Sequence, residues 1–113
     1  MHFENLKARW RYQKEQRRER ARRIKQTLLE KGPAVFVAYG VNRAILFGSV
    51  LEDNAEEGSD IDILVSPLPA RQYWRFIADL EEALEHPVDV FTQDDDPEFV
   101  RKIVERGEIV YEI

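Results

Sequence analysis

Apolar positions along this chain change their period several times, and each change marks an element. Phe3 to Glu30 holds no glycine or proline and is rich in Arg, Lys, Glu, Gln and Ala. That composition predicts one long helix ending before Lys31-Gly32-Pro33. Phe3, Leu6, Trp10, Arg17, Ala21, Ile24 and Leu28 recur at helical intervals, so the ends of this helix are amphipathic. Its middle, Arg11 to Arg20, has almost no apolar face and is expected to project into solvent or to lie against something charged. Pro33 to Tyr39 reads two ways: Val35, Phe36 and Val37 favour a strand, whereas Pro33 suits the first turn of a short helix. Gly40 follows as a turn or a helix C-cap.

Three short apolar runs then predict strands at Ala44–Phe47, Ile61–Val65 and Val88–Thr92. Ala70 to Glu85 has helical spacing through Tyr73, Trp74, Ile77, Leu80, Ala83 and Leu84. Pro97 to Arg106 predicts another helix with Asp96 as its N-cap, and Glu108 to Ile113 alternates like a last strand. There is no internal repeat and no low-complexity linker. The expected organisation is a basic N-terminal helix over 1–31 and a single compact domain over 32–113, since 113 residues suit one modest core.

Charge sharpens that division. The net charge of -5 conceals eleven basic and four acidic residues between Met1 and Lys31, a balance of +7, leaving -12 for the rest. A basic arm on an acidic body points to polyanion binding, self-association or docking onto another protein. No run approaches the roughly 18 apolar residues of a transmembrane helix, and the first residues lack the layout of a signal peptide. With no cysteine there is no disulfide and no thiolate zinc site, so a reducing, cytoplasmic location is expected.

The chemistry concentrates in Leu46-Phe47-Gly48-Ser49, ten further residues, and Asp60-Ile61-Asp62-Ile63-Leu64-Val65. A strand running into Gly48-Ser49 turns sharply and leaves the next amides unpaired beside a hydroxyl, a setting for phosphate oxygens. A side chain at position 48 would hold the backbone away from them. Asp60 and Asp62 are two apart, so on a strand both carboxylates face one side. Two such carboxylates repel unless a cation lies between them or one takes a proton. Magnesium meets that need with oxygen ligands, completing its shell with water and substrate phosphates. Asp89, between Val88 and Val90, can reach the same place as a general base or a further metal ligand. Taken singly, each feature has a plain reading as a turn, a solvated edge or a water-facing strand residue. Together they pair a phosphate turn with acids on two strands.

The pattern Gly48-Ser49-x10-Asp60-x-Asp62, with Ile63-Leu64-Val65 after it and Val88-Asp89-Val90 later, resembles the minimal nucleotidyltransferase (MNT) family of the DNA polymerase beta superfamily. The similarity spans roughly Tyr39 to Ile113. It implies an α/β (α+β) nucleotidyltransferase fold, a small mixed β-sheet flanked by helices, here with a long basic N-terminal helix added. It implies two Mg2+ ions held by Asp60, Asp62 and Asp89, and a nucleoside triphosphate, ATP above all, held by Gly48 and Ser49. The implied reaction is in-line attack of an acceptor hydroxyl on the α-phosphate, expelling pyrophosphate. It also implies a partner, because many members are antitoxins paired with a HEPN-type ribonuclease toxin, and some adenylylate a tyrosine on it.

Two departures from the pattern stand out. Family members commonly carry a basic residue just after Gly-Ser, and Val50 stands there instead. Glu52, Asp53, Glu56 and Glu57 in the following loop would repel a triphosphate unless they point away. Arg43, at the start of the preceding strand, is either a replacement cation or an ordinary surface arginine. Three functions therefore stay open: an Mg2+-dependent nucleotidyltransferase acting as antitoxin, a module of the same fold that neutralises its partner by contact, and a nucleic-acid binder working through the basic helix. Basic residues on all sides of that helix argue against a single nucleic-acid face. Homo-oligomerisation through it is a further expectation. His2 and His86 stand alone and carry no assigned chemistry.

Overall fold

The computed structural model of the chain describes residues 3–113, so His2 lies outside the described residues. The first helix, α1, runs Phe3–Ala38, eight residues past its expected end and straight through Pro33. Pro33 removes one helical hydrogen bond, at a cost of about 3 kcal/mol. Packing outweighs it. Leu28 and Phe36 are both fully buried, and each such side chain contributes about 1.5–3 kcal/mol. Phe36 packs against Phe76 at 6.3 Å and Tyr111 at 5.2 Å between ring centroids. The strand reading of Val35–Val37 is thereby excluded. The helix closes where the Val41 amide donates to the Phe36 carbonyl (2.9 Å) and the Gly40 amide to that of Val37 (3.2 Å). Gly40 adopts φ 72°, the left-handed cap that this pair of bonds requires.

The remaining elements are β1 (Arg43–Phe47), β2 (Ile61–Ser66), a 3-10 turn (Ala70–Gln72), α2 (Tyr73–Leu84), β3 (Val88–Thr92), α3 (Pro97–Arg106) and β4 (Glu108–Glu112). They build one mixed sheet in the order β3-β2-β1-β4, with β2 and β3 parallel and the other pairs antiparallel. The parallel pair needs a crossover, and α2 supplies it. Asp96 caps α3 as expected, its Oδ2 accepting from the Phe99 amide at 3.2 Å.

Alternation along the strands divides the core between the two sheet faces. Ala44, Leu46, Ile61, Ile63, Val65, Val88 and Val90 pack with α1 and α2 residues such as Leu28, Phe36, Phe76 and Leu80. Ile45 and Leu64 pack on the other face with Ile103 of α3, joined by Phe47, Phe91 and Val100. Asp62 is in step with Leu64, and Asp89 with Phe91. Both acids therefore lie on the face that α3 covers only in part. No helix among the described residues is long and apolar enough to cross a membrane.

Candidate active site

The acids meet at one end of the sheet because of strand register. Phe47 is opposite Asp62 across the β1–β2 pair, and Asp62 is opposite Asp89 across the β2–β3 pair. The end of β1, where the chain turns at Gly48-Ser49, thus lies in the same row as both carboxylates. Asp60 sits one residue before β2 rather than within it. Asp60 and Asp89 are exposed and Asp62 is half-buried.

Gly48 is required by this geometry. Its φ is 78°, and a Cβ there would collide with Asp62 Oδ2 and lie 3.1 Å from Asp62 Cγ. The Asp62 carboxylate rests directly on the turn. After Gly48 the chain forms one helix-like turn, with Glu52 N–H donating to the Gly48 carbonyl (3.1 Å), Asp53 to Val50 (3.4 Å) and Asn54 to Ser49 (2.9 Å). Among the described residues, the amides of Ser49, Val50 and Leu51 meet no acceptor, as at the start of any helix.

Electrostatics singles out Asp62. Burial, then the neighbouring carboxylates of Asp89 and Asp60, push its pKa up to about 6. No hydrogen-bond donor reaches it among the described residues, and no basic side chain offsets the repulsion. The Phe47, Phe91 and Phe99 rings crowd the same face, with centroids 5.2–6.0 Å apart. Among the described residues no group of three or more His, Cys, Asp or Glu stands preassembled as a metal site. Magnesium does not need one: it is usually held by one or two carboxylates together with substrate phosphates and water. The Asp62 carboxylate, repelled by those of Asp89 and Asp60 and beside a turn with free amides, fits that donor set.

The two departures from the family pattern resolve in different ways. Val50 is 1% exposed and belongs to the main core. A cation at this position would point into the hydrophobic interior, not toward phosphate. Arg43 begins β1, opposite Ser66, at the other end of the strand from Gly48, about 16 Å away at the rise of a strand. It is not the replacement cation. The acidic loop, by contrast, is turned toward α1. Arg17 Nε donates to Asn54 Oδ1 and an Arg20 guanidinium nitrogen to the Ala55 carbonyl, both at 2.9 Å, while buried Ala55 returns its amide to the Arg17 carbonyl at 3.3 Å. Glu52 and Asp53 share a groove with Lys14, Arg17 and Arg18, and Glu56 and Glu57 share another with Arg17 and Arg20. The charged middle of α1 lies against the acids of the site loop. Lys25 pairs with Glu108 at 2.6 Å, so further positive charge of α1 is engaged within the chain. His86 Nε2 meets the Ser59 carbonyl at 2.6 Å, a structural bond just ahead of Asp60.

Sequence reasoning missed Lys102 and Arg106 of α3. Together with Phe99 they face Phe47, Gly48 and Glu52 across a cavity. Spacing along α3 offers Glu98 and Glu105 equally to Arg101 and Lys102. Arg101 takes both, at 2.8 Å and 3.9 Å.

The sequence matches the polymerase beta nucleotidyltransferase family over residues 23–113. No curated protein matches it. Among solved structures, the fold is shared with a chain of a toxin–antitoxin complex containing AMP-PNP, at 22% identity and a TM-score of 0.64 over 75% of this chain and 73% of that one. A chain of the MntA–HepT toxin–antitoxin gives 21% identity and a TM-score of 0.58 over 78% and 73% of the two chains. The tri-AMPylated Shewanella oneidensis HEPN toxin in complex with MNT antitoxin gives 21% and 0.58 over 79% and 73%. Likeness at these identities establishes the fold.

Proposed function

Because this chain belongs to the polymerase beta nucleotidyltransferase family, we propose that it transfers a nucleoside monophosphate, AMP from ATP, to a hydroxyl on a HEPN-type partner protein and so acts as an antitoxin. The observation that carries the reading is the Asp62 carboxylate lying on the Gly48 turn, with Asp60 and Asp89 close enough to raise its pKa and, among the described residues, no cation offsetting that rise. The partner class is supported by the toxin–antitoxin complexes that share the fold.

In this reading Asp60 and Asp62, with Asp89, hold magnesium, and Gly48 and Ser49 hold phosphate oxygens. Magnesium, when bound, offsets negative charge on those oxygens and so lowers the barrier to attack at phosphorus. The acceptor oxygen forms a bond to the α-phosphorus as the bond from that phosphorus to the pyrophosphate oxygen breaks, and pyrophosphate departs. In this reading the exposed Asp89 takes the hydroxyl proton on a carboxylate oxygen, or else serves as a further ligand. Phe47, opposite Asp62 across the strand pair, and the half-burial of Asp62 lower the local dielectric, which strengthens the interactions the carboxylate makes.

The test is to incubate the chain with a HEPN-type partner, ATP and Mg2+, and to read nucleotide addition to the partner by intact mass. Wild type adds mass. Asp62→Asn is expected to lose at least about a hundredfold in rate while still folding and binding the partner. If wild type adds none, yet wild type and Asp62→Asn silence the partner equally, the chain acts by contact alone.

A further inference from the structure

The Gly48 turn opens on its α3 side into a cavity of about 270 Å³. Phe47, Gly48 and Glu52 form one wall, and Phe99, Lys102 and Arg106 the other. Gly48 is shared between two places, since its backbone borders the cavity while the Asp62 carboxylate rests against it. A complete nucleotide site usually occupies about 300–1,000 Å³, so this space suits part of a nucleotide better than the whole.

The charges in it are of the right sign. Lys102 and Arg106 lie one helical turn apart, so both side chains rise from the same face of α3. Among the described residues neither has an ion-pair partner, whereas the adjacent Arg101 is engaged by Glu98 and Glu105. Two unpaired cations face one carboxylate, Glu52. Arg106 sits in the last turn of α3, where the helix dipole favours positive charge.

We propose that Lys102 and Arg106 bind the β- and γ-phosphates of the nucleoside triphosphate, supplying the cationic contact that Val50 cannot make. The inference rests on the nucleotidyl-transfer reading and assigns it two specificity-determining residues. The α-phosphate then lies toward Asp62 and Asp89, and the leaving pyrophosphate lies along the α3 side of the turn. Two charge-assisted contacts of this kind discriminate a triphosphate from a monophosphate, because AMP lacks the groups they hold.

Calorimetric titration of the full chain with ATP and with AMP, both with Mg2+, tests this. The proteins are wild type, Lys102→Ala/Arg106→Ala, and Arg101→Ala as a neighbouring-charge control. Both substituted residues are exposed, and a thermal melt checks that the double variant folds like wild type. The double variant is expected to bind ATP at least about tenfold more weakly, with AMP affinity and the Arg101→Ala control near wild type. ATP binding unchanged in the double variant overturns the inference and leaves the transferase reading standing. Equal loss of ATP and AMP also overturns it, since the residues then do not read the phosphate tail. If wild type binds neither nucleotide, the transferase reading itself falls, and the inference with it.

Discussion

Replacing Asp62 by Asn should make the free protein more stable while slowing the proposed nucleotidyl transfer. In the folded chain the Asp62 carboxyl is pushed from its ordinary 3.8 up to about 6 by burial and by the charges of Asp89 and Asp60. Folding therefore disfavours its ionised form. Below the unfolded-state value the group is neutral in both states and costs nothing. As pH rises through 4 to 6 the unfolded chain ionises first, so stability falls, and the loss is complete above the folded value. At face value that cost is about 3 kcal/mol. Asp62 is half-exposed, however, and solvent screening leaves about 1 kcal/mol. Asn keeps the shape without the charge, so Asp62→Asn should raise Tm by about 4–6 °C at pH 7.5. The gain should shrink toward zero near pH 4. Thermal unfolding across pH 4–8 measures it. Saturating Mg2+ and ATP should reverse the order, because a ligand at a hundred times its Kd adds about 2.7 kcal/mol to wild type and much less to a variant lacking the ligand charge. A variant no more stable than wild type at pH 7.5, or a Tm difference that does not change with pH, would refute the electrostatic account of this site.

Two further substitutions probe the turn. Val50→Arg places a cation where the family pattern carries one, but it must bury that charge in the main core. It should destabilise the fold by about 3 kcal/mol or more and not improve nucleotide affinity, as chemical denaturation and calorimetry would show. Gly48→Ala drives a methyl into the Asp62 carboxylate at a left-handed backbone position. It should cost about 1–3 kcal/mol and abolish Mg2+-dependent ATP binding, whereas Gly40→Ala, with open space around it, should cost only its backbone strain.

What the sequence by itself determined was everything set by neighbours along the chain. Short apolar runs placed the strands at Ala44–Phe47, Ile61–Val65 and Val88–Thr92 within a residue of their observed ends, because hydrophobicity and β-branching are local properties. Asp96 announced the start of α3 for the same reason, since an N-cap bonds only three residues ahead. The Gly48-Ser49-x10-Asp60-x-Asp62 spacing also named the acids that the fold gathers.

Tertiary structure decided the rest. α1 passes through Pro33 because Phe36 finds a pocket between Phe76 and Tyr111, residues 40 and more positions away. Val50 reads as a missing cation in sequence, yet it is a core residue once the turn packs against the main core. The acidic loop and the basic helix look like independent patches until Arg17 and Arg20 bond to Asn54 and Ala55. Equal spacing cannot say whether Arg101 or Lys102 takes Glu98 and Glu105, so the free cations beside Gly48 emerge only when α3 is docked. Periodicity and capping are fixed by a few bonds along the backbone. Which charge remains unpaired, and what it faces, depends on contacts between residues that only the folded chain brings together.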